Sequence, residues 1–214
     1  ENIENKDSEP MYYENLPFRF DTRGIIYNKR GHVYKVNLGT NKFNKIVDGD
    51  KNQIISIGSL VESDKGIVFS YEKYNSKGTM LEEKVGSLET KKIKEIHSRG
   101  SMGNLFNYEG DLHAVGLKNR FDWPTNTSIL KISSDGKVSF RHRTFDRNVV
   151  KAEVNNSVLY FLYEDSGKTL LRDGTNNIDL IDAEITVKDF AFNNDKTYVI
   201  ANSFSKPDEV YELD

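Results

Sequence analysis

A two-strand pattern recurs five times along this chain at a nearly constant step. An extended apolar stretch, a short polar turn and a second β-rich stretch occupy Leu16–Asn28, Ile54–Tyr71, Met102–Leu117, Val149–Tyr163 and Val187–Ala201. The turns fall at Asp21–Arg23, Glu62–Lys65, Glu109–Gly110, Asn155–Asn156 and Asn194–Asp195, a step of roughly 40 to 46 residues. One hairpin cannot bury its own apolar face, so such units must stack on one another to make a core.

Each step leaves room for two further strands. Labelled A to D within a repeat, the first gives Pro17–Phe20, Gly24–Asn28, His32–Leu38 and Lys42–Val47. The second gives Ile54–Val61, Gly66–Tyr74, Thr79–Leu88 and Lys91–Ile96; the third Met102–Tyr108, Asp111–Leu117, Ser128–Ser133 and Lys137–Arg143. The fourth gives Val149–Val154, Ser157–Tyr163, Lys168–Arg172 and Asn177–Ile181, and the fifth only Val187–Phe192, Lys196–Ala201 and Glu209–Leu213. Gly31 and Gly39-Thr40-Asn41 are expected to take left-handed conformations at turns. Asp135-Gly136 is the strongest hairpin signal in the chain. Very little helix is expected.

Val33–Leu38 followed by Lys42–Val47, Ser128–Ile132 followed by Ser133–Gly136, and Glu209–Leu213 resemble the third strand and following turn of divergent bacterial β-propellers. The resemblance covers nearly the whole chain and implies an all-β fold: a five-bladed β-propeller of four-stranded antiparallel blades. It carries no WD, kelch or YWTD motif and so implies no particular activity. Met11–Leu16 has the right length to supply the strand missing from the fifth repeat, closing the ring and hiding an otherwise open edge. Residues 1–10 then read as a polar tether and 11–214 as one propeller domain.

Composition narrows the partners. The net charge is −3 with no block of one sign, so nucleic acid and anionic membrane surfaces have no electrostatic footprint. There is no cysteine, which excludes disulfides, thiol nucleophiles and Cys-based zinc sites. No stretch is apolar enough to span a membrane. Glu1–Pro10, polar and charged, suits a segment joining an upstream lipid anchor to a folded body, so a secreted protein or lipoprotein is expected, with a cytosolic protein the alternative; a monomer is expected in either case.

Propellers commonly bind ligands on the face carrying the D–A and B–C connections. The longest of these loops, Lys118–Thr127, holds the only tryptophan. Its Trp123 and Phe121 offer rigid aromatic area beside Arg120 and Asp122, suited to a sugar ring or a peptide side chain. Neighbouring loops are expected to add His97 and Arg99 on one side and Asp146 and Arg147 on the other. Asp48-Gly49-Asp50-Lys51-Asn52 places oxygen side chains at alternate positions, as calcium loops do. Gln53 stands where an EF-hand needs glycine and Ser59 where it needs an acid, so a solvated polar turn is expected. His32, His97, His113 and His142 show no metal spacing, and no cofactor or metal is expected.

Glu153 and Asp189 on innermost strands are the one candidate pair for acid–base glycoside cleavage. No Gly-x-Ser-x-Gly, His-Glu-x-x-His or phosphate-binding glycine loop occurs. The sequence therefore reads as a non-catalytic recognition or scaffolding module for a protein or carbohydrate partner. A glycan-processing enzyme with carboxylates at the channel mouth is the alternative.

Overall fold

The computed structural model describes residues 19–20, 24–25, 30–63, 66–75, 81–89, 92–98, 100–119, 125–141, 145–181, 184–194 and 196–213. These form antiparallel sheets arranged in sequence order. The second repeat is a four-stranded sheet of β5 (Ile54–Ser63), β6 (Gly66–Tyr74), β7 (Leu81–Glu89) and β8 (Lys92–His97). The third holds β9 (Ser101–Tyr108), β10 (Asp111–Leu117), β11 (Ser128–Ile132) and β12 (Val138–Phe140). The fourth holds β13 (Asn148–Asn155), β14 (Val158–Asp165), β15 (Lys168–Asp173) and β16 (Ile178–Asp179). The fifth has three strands, β17 (Thr186–Asn193), β18 (Lys196–Ser203) and β19 (Lys206–Leu213).

The first repeat differs. Among the described residues it is two separate hairpins, β1 (Arg19–Phe20) with β2 (Gly24–Ile25) and β3 (Val33–Asn37) with β4 (Lys42–Val47). The only helix described is the single turn α1 (Gly49–Asn52), capped by the Asp48 side chain.

Alternation along the strands explains the stacking, because successive side chains point to opposite sheet faces. In the third sheet, Met102, Leu105, Ala114, Leu130 and Ile132 pack against Val68 and Val85 of the second. Phe106, Tyr108, Val115 and Ile129 face the other way, onto Val149, Ala152, Leu159 and Phe161 of the fourth. Leu162 and Leu171 then meet Val187, Phe190, Val199 and Ala201 of the fifth. Val47 and Val33 join Ile54, Phe69 and Tyr71 between the first and second. Each seam is thus a small core between two sheet faces. Full burial of one such aliphatic or aromatic side chain is worth about 1.5–3 kcal/mol.

Every complete innermost strand carries an extra residue: β5 between Ile54 and Ser56 and again between Ile57 and Leu60, β9 between Met102 and Leu105, β13 between Val149 and Lys151, β17 between Val187 and Asp189. A bulge bends and twists its strand and leaves backbone groups without ladder partners. The neighbouring repeat satisfies them. Leu105 N–H donates to Ser59 Oγ at 2.8 Å and Ala152 N–H to Asn104 Oδ1 at 2.5 Å. Lys151 Nζ donates to the Phe190 carbonyl at 3.0 Å. At each of these seams a polar side chain thus reaches forward to the next innermost strand.

Several expectations change in detail. The left-handed residue of the β3–β4 turn is Asn41 (φ 52°), while Gly31 and Gly39 stay at ordinary φ. It is Gly49 that closeness requires: a Cβ there would lie 2.0 Å from the Gly31 carbonyl oxygen. The segment Asn202–Asp208, read as a loop, is mostly strand, with a tight turn at Phe204-Ser205 and β19 beginning at Lys206. Pro207 lies within β19 beside the register irregularity between Ala201 and Ser203, the kind of place where a strand tolerates proline.

Ring closure is absent among the described residues. β19 has no partner on its outer edge there. Tyr34 and Phe43 of the first repeat and Ile200 and Val210 of the fifth are 48%, 71%, 39% and 70% exposed. Met11–Leu16, expected to seal the ring, lies outside the described residues.

Candidate ligand-binding rim

Asn148 anchors the rim at the start of β13. Its Oδ1 accepts from Thr127 N–H at 3.0 Å and Thr127 Oγ1 at 2.6 Å, and its Nδ2 donates to Glu164 Oε2 at 2.7 Å. The end of the long loop, the D–A connection from the third repeat to the fourth and the β14–β15 turn are thereby tied together. Beside it Arg147 Nε donates to Asp165 Oδ1 at 2.9 Å and Arg147 Nη1 to the Asp146 carbonyl at 2.6 Å. Asn126 Nδ2 approaches Asp146 Oδ1 at 3.3 Å. These groups surround an open cleft of about 660 Å³ whose floor runs through Ser166–Thr169. Ser166 (φ 50°) and Gly167 (φ 77°) make the tight turn between β14 and β15 that lines the cleft.

Asp146 and Arg147 are therefore brought to one cleft, together with the end of the tryptophan loop. Arg120, Phe121, Asp122, Trp123 and Arg99 lie outside the described residues. His97 goes elsewhere. Its Nδ1 lies 3.2 Å from the Gly136 carbonyl, pinning the end of β8 to the Asp135-Gly136 turn of the next repeat. There Gly136 (φ 79°) passes so close that a Cβ would stand 2.2 Å from the Ile96 carbonyl oxygen. His97 lines a separate cavity of about 620 Å³ with Lys118 and Asn119.

A larger cavity, about 870 Å³, opens on the opposite face, between the second and third sheets. Val68, Leu112 and Ile132 floor it, and Lys131–Asp111 and Lys94–Glu89 (3.5 Å) pairs stand at its rim. Sequence reasoning missed it because it arises where small residues, Ser87, Gly110, Ser133 and Ser134, meet across a seam. Only clusters of small residues at C–D turns hinted at such a gap.

The carboxylate pair does not suit acid–base work. Lys151 Nζ lies 2.7 Å from Asp189 Oδ1 and 3.6 Å from Glu153 Oε2, and 4.6 Å above the Phe190 ring. Desolvation pulls the Asp189 pKa up. The Lys151 ammonium and the Phe190 N–H outweigh it and hold this carboxyl below its ordinary value. A general acid needs the reverse.

The calcium-like loop is folded as the α1 cap. Asp48 Oδ1 accepts from Asp50 N–H at 3.1 Å and Lys51 N–H at 3.5 Å. His32 joins Asp48 and Asp50, with one donor atom from each within 4.8 Å of the others. The surrounding hydrogen bonds oppose a metal. Gly49 N–H donates to His32 Nδ1 at 3.1 Å, which puts the ring proton on Nε2, the nitrogen facing Asp50 at 3.8 Å. A ligating imidazole instead donates its remote N–H to an acceptor. The cluster clasps the turn to the start of β3.

No protein-family model matches this chain, and no curated protein matches its sequence. Solved structures do match. The acylaminoacyl peptidase of Pyrococcus horikoshii superposes with a TM-score of 0.74 over 98% of this chain, at 14% identity. The fold is of the β-propeller type. The chain spans about a third (33%) of that peptidase's length. The β-propeller domain of the trilobed protease from Pyrococcus furiosus matches at a TM-score of 0.43 and 11% identity, over 86% of this chain and 73% of that domain chain. At such identities the likeness concerns the fold alone, and the propeller's chemistry must be sought in its own residues.

Proposed function

We propose that this propeller is a non-catalytic recognition or scaffolding module that takes a protein or carbohydrate partner in the cleft between its third and fourth blades. The carrying observation is the rim network: Arg147, Asn148, Asp146 and Glu164 face one open cleft with their orientations fixed by Asp165, Thr127 and Asn126. Groups held in place by neighbours lose little freedom on binding, which favours recognition. The tryptophan loop ends at this cleft and supplies aromatic area next to it in sequence.

A second reading has a specific observation behind it. The peptidase likeness extends over nearly the whole chain, which supports a propeller that serves a peptidase, admitting or positioning peptides for a catalytic domain. The glycan-processing alternative is the weakest, since Lys151 neutralises its carboxylates. Five blades remain part of the proposal. So does closure of the fifth blade by Met11–Leu16.

The test exploits Trp123, the only tryptophan. Its emission is followed while panels of oligosaccharides and of short peptides are titrated into the wild type and an Asp146→Asn/Arg147→Ala variant. Saturable binding that the double substitution abolishes supports the cleft. Binding untouched by it, or glycoside turnover that Glu153→Gln and Asp189→Asn remove, overturns the proposal.

A further inference from the structure

The rim cleft beside Arg147 is polar throughout. Its lining is made of Asn, Asp, Glu, Arg, Lys, Ser, Thr and Gly, with no aliphatic or aromatic side chain among the described residues. A polypeptide partner is ordinarily held by an open strand edge, an apolar groove or an aromatic slot for proline. The described walls offer none of these. The floor, Ser166–Thr169, is a tight turn and the start of β15, which is already paired with β14.

Each charged group of the wall spends one side on a neighbour and keeps another for the solvent. Arg147 uses Nε on Asp165 Oδ1 (2.9 Å) and Nη1 on the Asp146 carbonyl (2.6 Å), and Nη2 is left without a protein partner. Asp165 accepts on Oδ1 alone, from Arg147 and from Ser166 (3.3 Å), which leaves Oδ2 open. Asp146 accepts from Asn126 on Oδ1 (3.3 Å) and Glu164 from Asn148 on Oε2 (2.7 Å), so Asp146 Oδ2 and Glu164 Oε1 are open as well. The cleft thus presents a donor fork and three planar acceptors, each oriented by a contact already made. An atom of a peptide amide either donates or accepts. A hydroxyl oxygen does both, so neighbouring hydroxyls on a sugar ring satisfy guanidinium and carboxylate together.

Charge narrows the class further. Asp146, Glu164 and Asp165 stand against Arg147 and Lys168, and Arg147 already faces Asp165. A uronate or phosphorylated sugar would meet like charge there. We infer that the partner of this cleft is a neutral, hydroxyl-rich saccharide and not a polypeptide, an inference that rests on the recognition reading given above. The site is shallow and wet, so a Kd in roughly the millimolar range is expected for a short oligomer.

Amide NMR shifts of the whole chain test it. The neutral probes are cellopentaose, maltopentaose, xylopentaose and mannopentaose, set against pentagalacturonate and a library of uncharged pentapeptides. At least one neutral sugar should shift the amides of Asp146–Asn148 and Glu164–Gly167 saturably. Glu164→Gln turns an open acceptor into a donor at an exposed position, and should weaken that binding roughly tenfold or more. Arg147→Lys, which removes the fork and keeps the charge, should do the same. Lys137→Ala, 86% exposed and away from this cleft, should change nothing. Peptides that bind at these amides while every neutral sugar fails overturn the saccharide inference and leave the recognition reading standing. Pentagalacturonate binding more tightly than the neutral sugars overturns it too, as does sugar binding indifferent to both substitutions. If no probe of either kind shifts the cleft amides, the recognition reading falls with it.

Discussion

His113 is the buried titratable group whose behaviour can be worked out most fully. It is 1% exposed on β10, stacked on Phe106 at 5.6 Å (20° between planes) and edge-on to Tyr108 at 5.8 Å. Nδ1 bonds the Asp111 carbonyl at 3.1 Å, and Nε2 is buried without a hydrogen-bond partner. Burial pushes its pKa below the ordinary value. The Asp111 carbonyl pulls the other way, and the Arg141 charge adds to the depression. An unfolded histidine binds its proton near pH 6.5. Below that pH the unfolded chain carries a proton that the native imidazole refuses, so stability falls as pH drops, until the lowered native value is reached. For one such group the loss between pH 7 and pH 5.5 is at most about 1.2 kcal/mol. With a urea slope of about 2 kcal/mol/M, that moves the midpoint by about 0.6 M. His113→Phe keeps the aromatic stack and deletes the proton. Urea titrations of both proteins at the two pH values should therefore differ by up to this amount in their pH dependence, the variant being the less acid-sensitive. Equal losses in both, or a His113 resonance that titrates near 6.5, would refute the reasoning.

Two further outcomes follow from other contacts. Gly136→Ala forces an L-residue into φ 79° with its Cβ 2.2 Å from the Ile96 carbonyl oxygen; a loss of about 1–2 kcal/mol or more is expected in thermal or urea melts, and the His97 ring resonances should shift as the bond to the residue 136 carbonyl breaks. Lys151→Met removes the cation that holds Asp189 low, so the Asp189 carboxyl should titrate at higher pH by carbon-detected NMR. The wild type's advantage over that variant should be present above the unfolded carboxylate value and vanish as pH falls through the native one.

Repeat spacing and alternation made the strands legible, because period-two patterning depends only on neighbouring residues. The Asp135-Gly136 and Asn155-Asn156 turns were equally local, and both are turns, with positive φ at Gly136 and Asn156. Strand ends were less legible. β12 and β16 stop at three and two residues because they lie on blade rims, where few contacts select their length. At the candidate site, Asp146 and Arg147 line one cleft, a placement that follows from loop order in a propeller. The Asn148–Thr127–Glu164 anchor was missed, since its partners lie 16 and 21 residues apart and no periodicity relates them.

The amino-acid order alone determined an all-β chain of stacked four-stranded units with no cysteine chemistry and no nucleic-acid field, since each depends on composition or on near neighbours. Only the tertiary structure decided the rest. Packing of the innermost strands of the fourth and fifth repeats sets Lys151 against both Asp189 and Glu153. The Gly136 turn takes His97 for the seam. The end faces keep Tyr34, Phe43, Ile200 and Val210 in water. These outcomes depend on which sheet face meets which, a matter of packing between residues about forty positions apart.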